Sequence, residues 1–261
     1  MGAQVKRLGR ILGILRDSAV LFPYPELVET PPGSRILVLA PHPDDDILGC
    51  GGTLAKHIAT GGSVSVLYLT DGRKGDPTFS SEDDLVRERQ REARAACGVL
   101  GINKLEFVGI RDQELQASKE VVARIGDSMT RFRPDLVYAP FFLDNHTDHV
   151  ETSRALVRVE DARDINIAAY ETWTPLISPN LVVDISESQD LKERALRCHA
   201  SQLKVIDYPS GFRGLGAYRG AFARTRAAEA FMFMRMSRYA ALVAKFERHT
   251  GMPRTSAPRR R

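Results

Sequence analysis

The stretch Arg35-Ile36-Leu37-Val38-Leu39-Ala40-Pro41-His42-Pro43-Asp44-Asp45-Asp46 is the one on which the reading of this chain turns. Its first six residues, apolar from Ile36 to Ala40, read as a buried strand. The next six place one imidazole and three carboxylates where that strand ends. Ile47-Leu48-Gly49-Cys50-Gly51-Gly52-Thr53 follows and reads as a glycine-rich turn opening a helix that continues to about Thr60. In open α/β sheets, ligands bind outside the carboxyl ends of strands.

Three neighbouring Asp side chains repel one another and lose hydration if enclosed. A cation relieves both costs. His42 and Asp45 are three residues apart, so a tight turn can bring both to one ion, leaving Asp44 ionised beside it. On this stretch alone, a solvated Asp-rich turn with His42 as a helix cap accounts for the residues equally well. A second stretch, Asp144-Asn145-His146-Thr147-Asp148-His149, also follows an apolar run, Leu136-Val137-Tyr138-Ala139-Pro140. Two such stretches at strand ends of an alternating α/β chain favour the metal reading.

Composition sets the frame. A chain of 261 residues, 43% hydrophobic and 27% charged, is expected to form one large α/β domain with a sizeable core. The net charge of +4 is carried by the ends: residues 36–247 hold 27 basic and 30 acidic residues. The basic balance is therefore no argument for nucleic-acid binding by the fold. Cys50, Cys97 and Cys198 are far apart and odd in number, which argues against a disulfide framework or a zinc finger. Cys97 and Cys198 are expected in the core. No run approaches the length of a membrane span and no cleavable signal pattern is seen, so a cytoplasmic protein is expected.

Residues 4–22 read as a short basic amphipathic helix suited to peripheral membrane contact, to packing on the domain, or to a second subunit in a homo-oligomer. Residues 1–33 are accordingly read as an extension, 34–249 as the domain and 250–261 as a basic disordered tail. Further strands are expected at 63–70, 105–108, 165–172 and 181–185, and helices at 83–100, 118–132, 150–160, 188–203 and 221–247. The polar segment 73–82 reads as a loop that could serve as a lid. Most charged residues of 83–100 are expected on a solvated face. His57 and His199 are read as structural rather than chemical.

Pro41-His42-Pro43-Asp44-Asp45-Asp46 resembles the first signature of the LmbE-like, or PIG-L, family of metal-dependent de-N-acetylases, with Asp46 where Glu is commoner. Asp144-x-His146-x-Asp148-His149 resembles its second signature. Thr70-Asp71-Gly72, Arg89-x-x-Glu92, Asp112, Ser201-Gln202 and Ala228-Glu229-Ala230-Phe231 resemble its shorter elements, so the resemblance runs from about residue 34 to 235.

The resemblance implies a Rossmann-like three-layer α/β/α fold with a mostly parallel sheet. It implies one Zn²⁺ on His42, Asp45 and His149, with Fe²⁺ or Mn²⁺ open as alternatives. Asp44 is then the expected general base. His146, with Asp148 bonded to its ring to favour imidazolium, is the expected oxyanion stabiliser. Asp144 is expected to brace a ligand histidine, and Arg89 and Asp112 to contact substrate. The expected substrate is a small or lipid-linked N-acetylated amino sugar. A different acylated amine or a thiol–sugar conjugate would use the same residues. A nucleotide-binding module, with phosphate at Gly49-x-Gly51-Gly52, and a membrane-surface scaffold are the competing classes.

Overall fold

The computed structural model describes residues 25–250 apart from Arg163. The expected basic helix at 4–22 and the basic tail lie outside the described residues. The described chain runs β1 (Glu26–Val28), β2 (Arg35–Ala40), α1 (Asp45–Ala59), β3 (Ser63–Thr70), α2 (Glu82–Val99), β4 (Lys104–Ile110), α3 (Lys119–Phe132), β5 (Leu136–Pro140) and α4 (Thr147–Leu156). It continues through β6 (Asn166–Tyr170), β7 (Leu181–Asp184), α5 (Gln189–Leu196), α6 (Ala200–Leu203), α7 (Tyr208–Ala223), β8 (Ala228–Arg235) and α8 (Met236–Thr250).

The strands form one sheet in the order β1-β7-β8-β6-β5-β2-β3-β4. All pairings are parallel except those of β8 with β6 and β7. Side chains of β2 alternate between two cores. Ile36, Val38 and Ala40 pack with Ile47 and Leu54 of α1, Ala93 and Ala96 of α2, and Leu196 of α5. Leu37 and Leu39 pack with Ile125 of α3, Leu156 of α4 and Tyr239 of α8. A strand covered on both faces has no exposed side to make polar, which is why β2 reads as an unbroken apolar run. This is the expected three-layer α/β/α arrangement.

Strand order reverses at β2, which has β3 on one side and β5 on the other. Crossovers leaving β2 and β5 in opposite directions open a crevice at their carboxyl ends. Both signature stretches begin there.

Four sequence expectations are corrected. Ala228–Arg235, expected inside one helix over 221–247, is β8. Ala, Glu and Met favour helix, but this segment is buried on both faces and hydrogen-bonded between β6 and β7, and that pairing overrides propensity. The helix expected over 188–203 breaks between Leu196 and Ala200, where the Ser201 N–H and Oγ–H both donate to Glu92 at 2.7 Å. The sheet takes in Glu26–Val28, which had been assigned to the extension. Gly49, Gly51 and Gly52 lie inside α1 and not in a turn before it. A Cβ on Gly49 would fall 2.2 Å from the Tyr170 ring, so glycine there lets helix and sheet approach closely.

Candidate metal centre and active site

Loops after β2, β3, β4, β5 and β6 converge on one crevice. Thr70 ties two of them together, its N–H and Oγ–H both donating to the Pro41 carbonyl at 2.8 Å. Asp71 accepts from the Asp112 N–H at 3.1 Å, joining the loops after β3 and β4.

His42 and Asp45 meet as their spacing suggested. Asp45 Oδ2 lies 3.1 Å from His42 Nδ1 and accepts from the His42 backbone N–H at 2.8 Å. His149, at the start of α4, brings its Nε2 to 3.2 Å from the same oxygen and 3.4 Å from His42 Nδ1. Ligands at the usual Zn–N and Zn–O lengths on a tetrahedron stand about 3.3 Å apart. The three donor atoms therefore already form one face of such a site. They are two imidazole nitrogens and one carboxylate, all buried, and one ion fits them.

Among the described residues, two other groupings hold donor atoms within 4.8 Å of one another: His42 with His146 and His149, and His42 with Asp112 and Asp148. The second uses the opposite ring nitrogen. His42 Nε2 is 3.2 Å from Asp112 Oδ1 and 3.1 Å from Asp148 Oδ2. A ligand histidine characteristically gives its other N–H to carboxylates, so two Asp at Nε2 suit a ring whose Nδ1 could hold an ion. His149 is oriented likewise, its Nδ1 lying 2.9 Å from Thr172 Oγ1 and 3.5 Å from Asp144 Oδ2. Asp144 also accepts from the His146 N–H at 2.9 Å.

Charge balance follows from these contacts. Burial alone would push His42 and His149 down, but the facing carboxylates outweigh it, raising His42 and lifting His149 to about 9. Burial would raise Asp45, and His149 and His42 reverse this to hold it well below its ordinary value. Such paired protons are what a cation displaces on binding.

Asp44 is the N-cap of α1, but its side chain makes no cap hydrogen bond. Its Oδ2 instead accepts from Arg89 Nη2 at 2.9 Å, with both side chains buried. Burial raises the Asp44 pKa, and the Arg89 guanidinium pulls it back. Arg89 also donates to the Gly72 carbonyl at 2.8 Å. Gly72 sits at φ +66, and a Cβ there would come within 2.5 Å of Arg89 Nη1. Arg89 is thus a buried member of the centre and Glu92 is buried against Ser201, so neither is part of a solvated face of α2.

Asp46 turns away from the crevice, with its Oδ2 accepting from Tyr68 Oη at 2.9 Å; burial lifts its pKa to about 7.

The expected roles of Asp148 and Asp112 change. Asp148 does not bond the His146 ring with its carboxylate, which is committed to His42 and to the Gln113 N–H at 2.8 Å. It is the Asp148 backbone N–H that donates to His146 Nδ1, at 3.2 Å, with His146 at the N-cap of α4. A nitrogen accepting that bond carries no proton, so His146 is neutral with its proton on Nε2. Burial and the neighbouring His42 and His149 also lower its pKa. Asp112 lines the crevice, yet its Oδ1 faces His42 and its Oδ2 accepts from the Lys74 N–H at 3.2 Å, so it acts on the ring rather than toward the opening.

The crevice holds about 210 Å³, and its wall includes His42, Asp44, Asp45, Arg89 and His146. Trp173, Gln202, Ile206 and Tyr208 complete it. Apart from Gln202, these were not singled out from sequence, and Thr172 was also missed. Thr172 and Trp173 directly follow β6 at the same sheet edge as the two signatures, which is the signal that topology adds. A larger hollow of about 720 Å³ lies at the opposite edge, near Pro32, Asp135 and Arg235, away from the histidines.

His57 and His199 are both buried. His57 faces Tyr138 Oη at 3.0 Å. Cys50 and Cys97 are buried, whereas Cys198 is only partly so. Among the described residues no helix is long and apolar enough to cross a membrane.

The family described as PIG-L, GlcNAc-PI de-N-acetylase, matches residues 37–160. A probable N-acetyl-alpha-D-glucosaminyl L-malate deacetylase 2 of Bacillus subtilis is 31% identical over 64% of this chain and 83% of its own length. A 4-oxalmesaconate hydratase of Pseudomonas putida is 27% identical over 68% of this chain and 77% of its own. The N,N'-diacetylchitobiose deacetylase of Pyrococcus horikoshii superposes with a TM-score of 0.72 at 27% identity, covering 79% of this chain and 86% of that one. With its fold, its paired strand-end motifs and these relatives, the chain belongs to the PIG-L, or LmbE-like, family of metal-dependent de-N-acetylases.

Proposed function

We propose that this chain removes the acetyl group from an N-acetylated amino sugar, such as an N-acetylglucosaminyl glycan, glycolipid or conjugate. A divalent cation is held by His42, Asp45 and His149. The observation that carries this reading is the triangle of donor atoms with edges of 3.1 to 3.4 Å, beside which Asp44 stands on the crevice wall. Zinc is our choice for two imidazoles and a carboxylate, and Fe²⁺ or Mn²⁺ suits the same set. The cation supplies a Lewis acid for the amide carbonyl and acidifies water toward neutral pH.

The chain's own groups do the rest. Asp44 takes the proton of the attacking water and later delivers it to the departing amine. Arg89 fixes the direction of that carboxylate. His146 offers its Nε2–H to the oxygen on which charge develops, as a neutral donor rather than an imidazolium. Asp112, Asp148, Asp144 and Thr172 hold the two ligand rings in their working tautomers.

The phosphate-binding alternative loses its footing, because Gly49, Gly51 and Gly52 sit inside α1 and three carboxylates stand at its start. Similarity to a hydratase gives one further reading, addition of water to an unsaturated acid on the same donors.

The test is acetate release from free, lipid-linked, nucleotide-linked and thiol-linked N-acetylglucosaminyl compounds, after chelation and again after zinc is restored. Metal-dependent acetate from one of them is expected. Absence of acetate from all, with metal bound one to one and hydration of an unsaturated dicarboxylate instead, would overturn the reading.

A further inference from the structure

Beside the crevice lies a second cavity of about 130 Å³, lined chiefly by Leu48, Trp173, Ile206, Tyr208 and Phe212. Trp173, Ile206 and Tyr208 line both spaces, so the two are adjacent. The catalytic chemistry leaves the second cavity unused.

Its walls suit an apolar group better than the hydroxyls of a sugar ring. Two of the polar side chains on them are engaged elsewhere, Thr172 Oγ1 with His149 Nδ1 at 2.9 Å and the Asp207 carboxylate with the Ser210 N–H at 3.2 Å as the cap of α7, which leaves the Tyr208 hydroxyl and the Trp173 indole N–H. The several hydroxyls of a sugar would lose water and find few partners in exchange. The remaining walls are aliphatic and aromatic. The Trp173 and Tyr208 rings meet edge to face at 6.3 Å, and Tyr208 and Phe212 do the same. Crossed rings leave faces and edges open to another apolar group. An apolar cavity of about 150 Å³ in a protein interior accommodates benzene. Trp173 remains 44% exposed at the mouth, apolar surface that such a group would cover.

We propose that this cavity is a subsite for an apolar substituent of the substrate, the size of one phenyl ring or a short alkyl chain. The inference rests on the de-N-acetylase reading for what carries the substituent. The group reaches the cavity either from the acyl side of the amide or from the glycosidic side of the sugar, and both offer the same chemistry to these walls.

The full-length, zinc-loaded protein is assayed for free amine with methyl N-acetylglucosaminide, phenyl N-acetylglucosaminide and methyl N-hexanoylglucosaminide. The expected result is a kcat/KM about tenfold or more above the methyl N-acetyl compound for the phenyl or the hexanoyl compound, which also assigns the side of attachment. In Phe212→Ala, whose side chain lines only the second cavity, that ratio falls toward one. Equal rates for all three, or a ratio that survives Phe212→Ala, would overturn the proposal.

A second readout does not need turnover. Trp173 is the chain's one tryptophan. Its emission is expected to change saturably with the phenyl or hexanoyl compound, far more weakly with the methyl compound, and less in Phe212→Ala. If no compound is hydrolysed, the parent reading fails while this titration still decides the subsite. No saturable change with either apolar compound would remove it.

Discussion

Arg89 Nη2 lies 2.9 Å from Asp44 Oδ2, and neither side chain reaches solvent appreciably. A buried guanidinium behind a buried carboxylate fixes its direction and keeps it ionised against the cost of burial. Replacing Arg89 with Gln removes the charge that draws the Asp44 pKa down, so that pKa climbs further. A base must be ionised to act, so the acid limb of the kcat/KM profile moves to higher pH, and activity at neutral pH falls by about 100-fold. An acid limb that stays in place in Arg89→Gln would exclude Asp44 as the base.

Metal affinity is expected to rise with pH. In the cation-free centre the carboxylates raise His42 and hold His149 at about 9, so below that range both rings carry protons that a metal must displace. Releasing one or two protons per ion gives an affinity gain of about 10- to 100-fold per pH unit below the lower of the two values. Competition with a chromophoric chelator between pH 6 and 8 measures it. A flat profile would mean the ion binds elsewhere.

Thr172 and Asp144 hold His149 by its far nitrogen. Thr172→Val keeps the shape and deletes the contact. Zinc affinity is expected to fall by about 10- to 100-fold with the far-ultraviolet spectrum unchanged. Unaltered affinity would reassign Thr172 to packing alone.

Lys192 and Glu229 form a buried pair at 2.6 Å set against α1. Glu229 also accepts from the Gly52 and Thr53 N–H groups at 2.9 and 2.8 Å, and Lys192 donates to the Leu48 carbonyl at 2.8 Å. Glu229→Ala leaves a buried ammonium and two backbone donors without this acceptor, a loss of about 3–5 kcal/mol by urea unfolding. Adding Lys192→Met relieves the charge but not the backbone, so the double variant recovers only part. Complete recovery would show that the helix groups find other partners.

Sequence by itself determined the layers and the site's location. Residues 36–40 and Leu136–Pro140 are apolar throughout because both faces are covered, and that pattern survives any detail of packing. His42, Asp45 and their spacing are local, so one tight turn sets their meeting. The triangle closes only through His149, which is 107 residues from His42 and reaches it because β5 lies beside β2.

Tertiary structure decided what local pattern leaves undetermined. Ala228–Arg235 has the composition of a helix and becomes a strand because β6 and β7 leave a buried gap between them that only paired backbone can fill. Arg89 looks like one charge among many on α2 until the Gly72 turn and Asp44 enclose it. Asp148 and His146 are two residues apart, yet the helix start turns the Asp148 backbone N–H to His146 and sends the carboxylate to His42. Side-chain identity is written in the sequence. Which group a buried carboxylate satisfies is settled by which donors the fold brings within reach, because an unpaired charge in the interior costs more than any local preference.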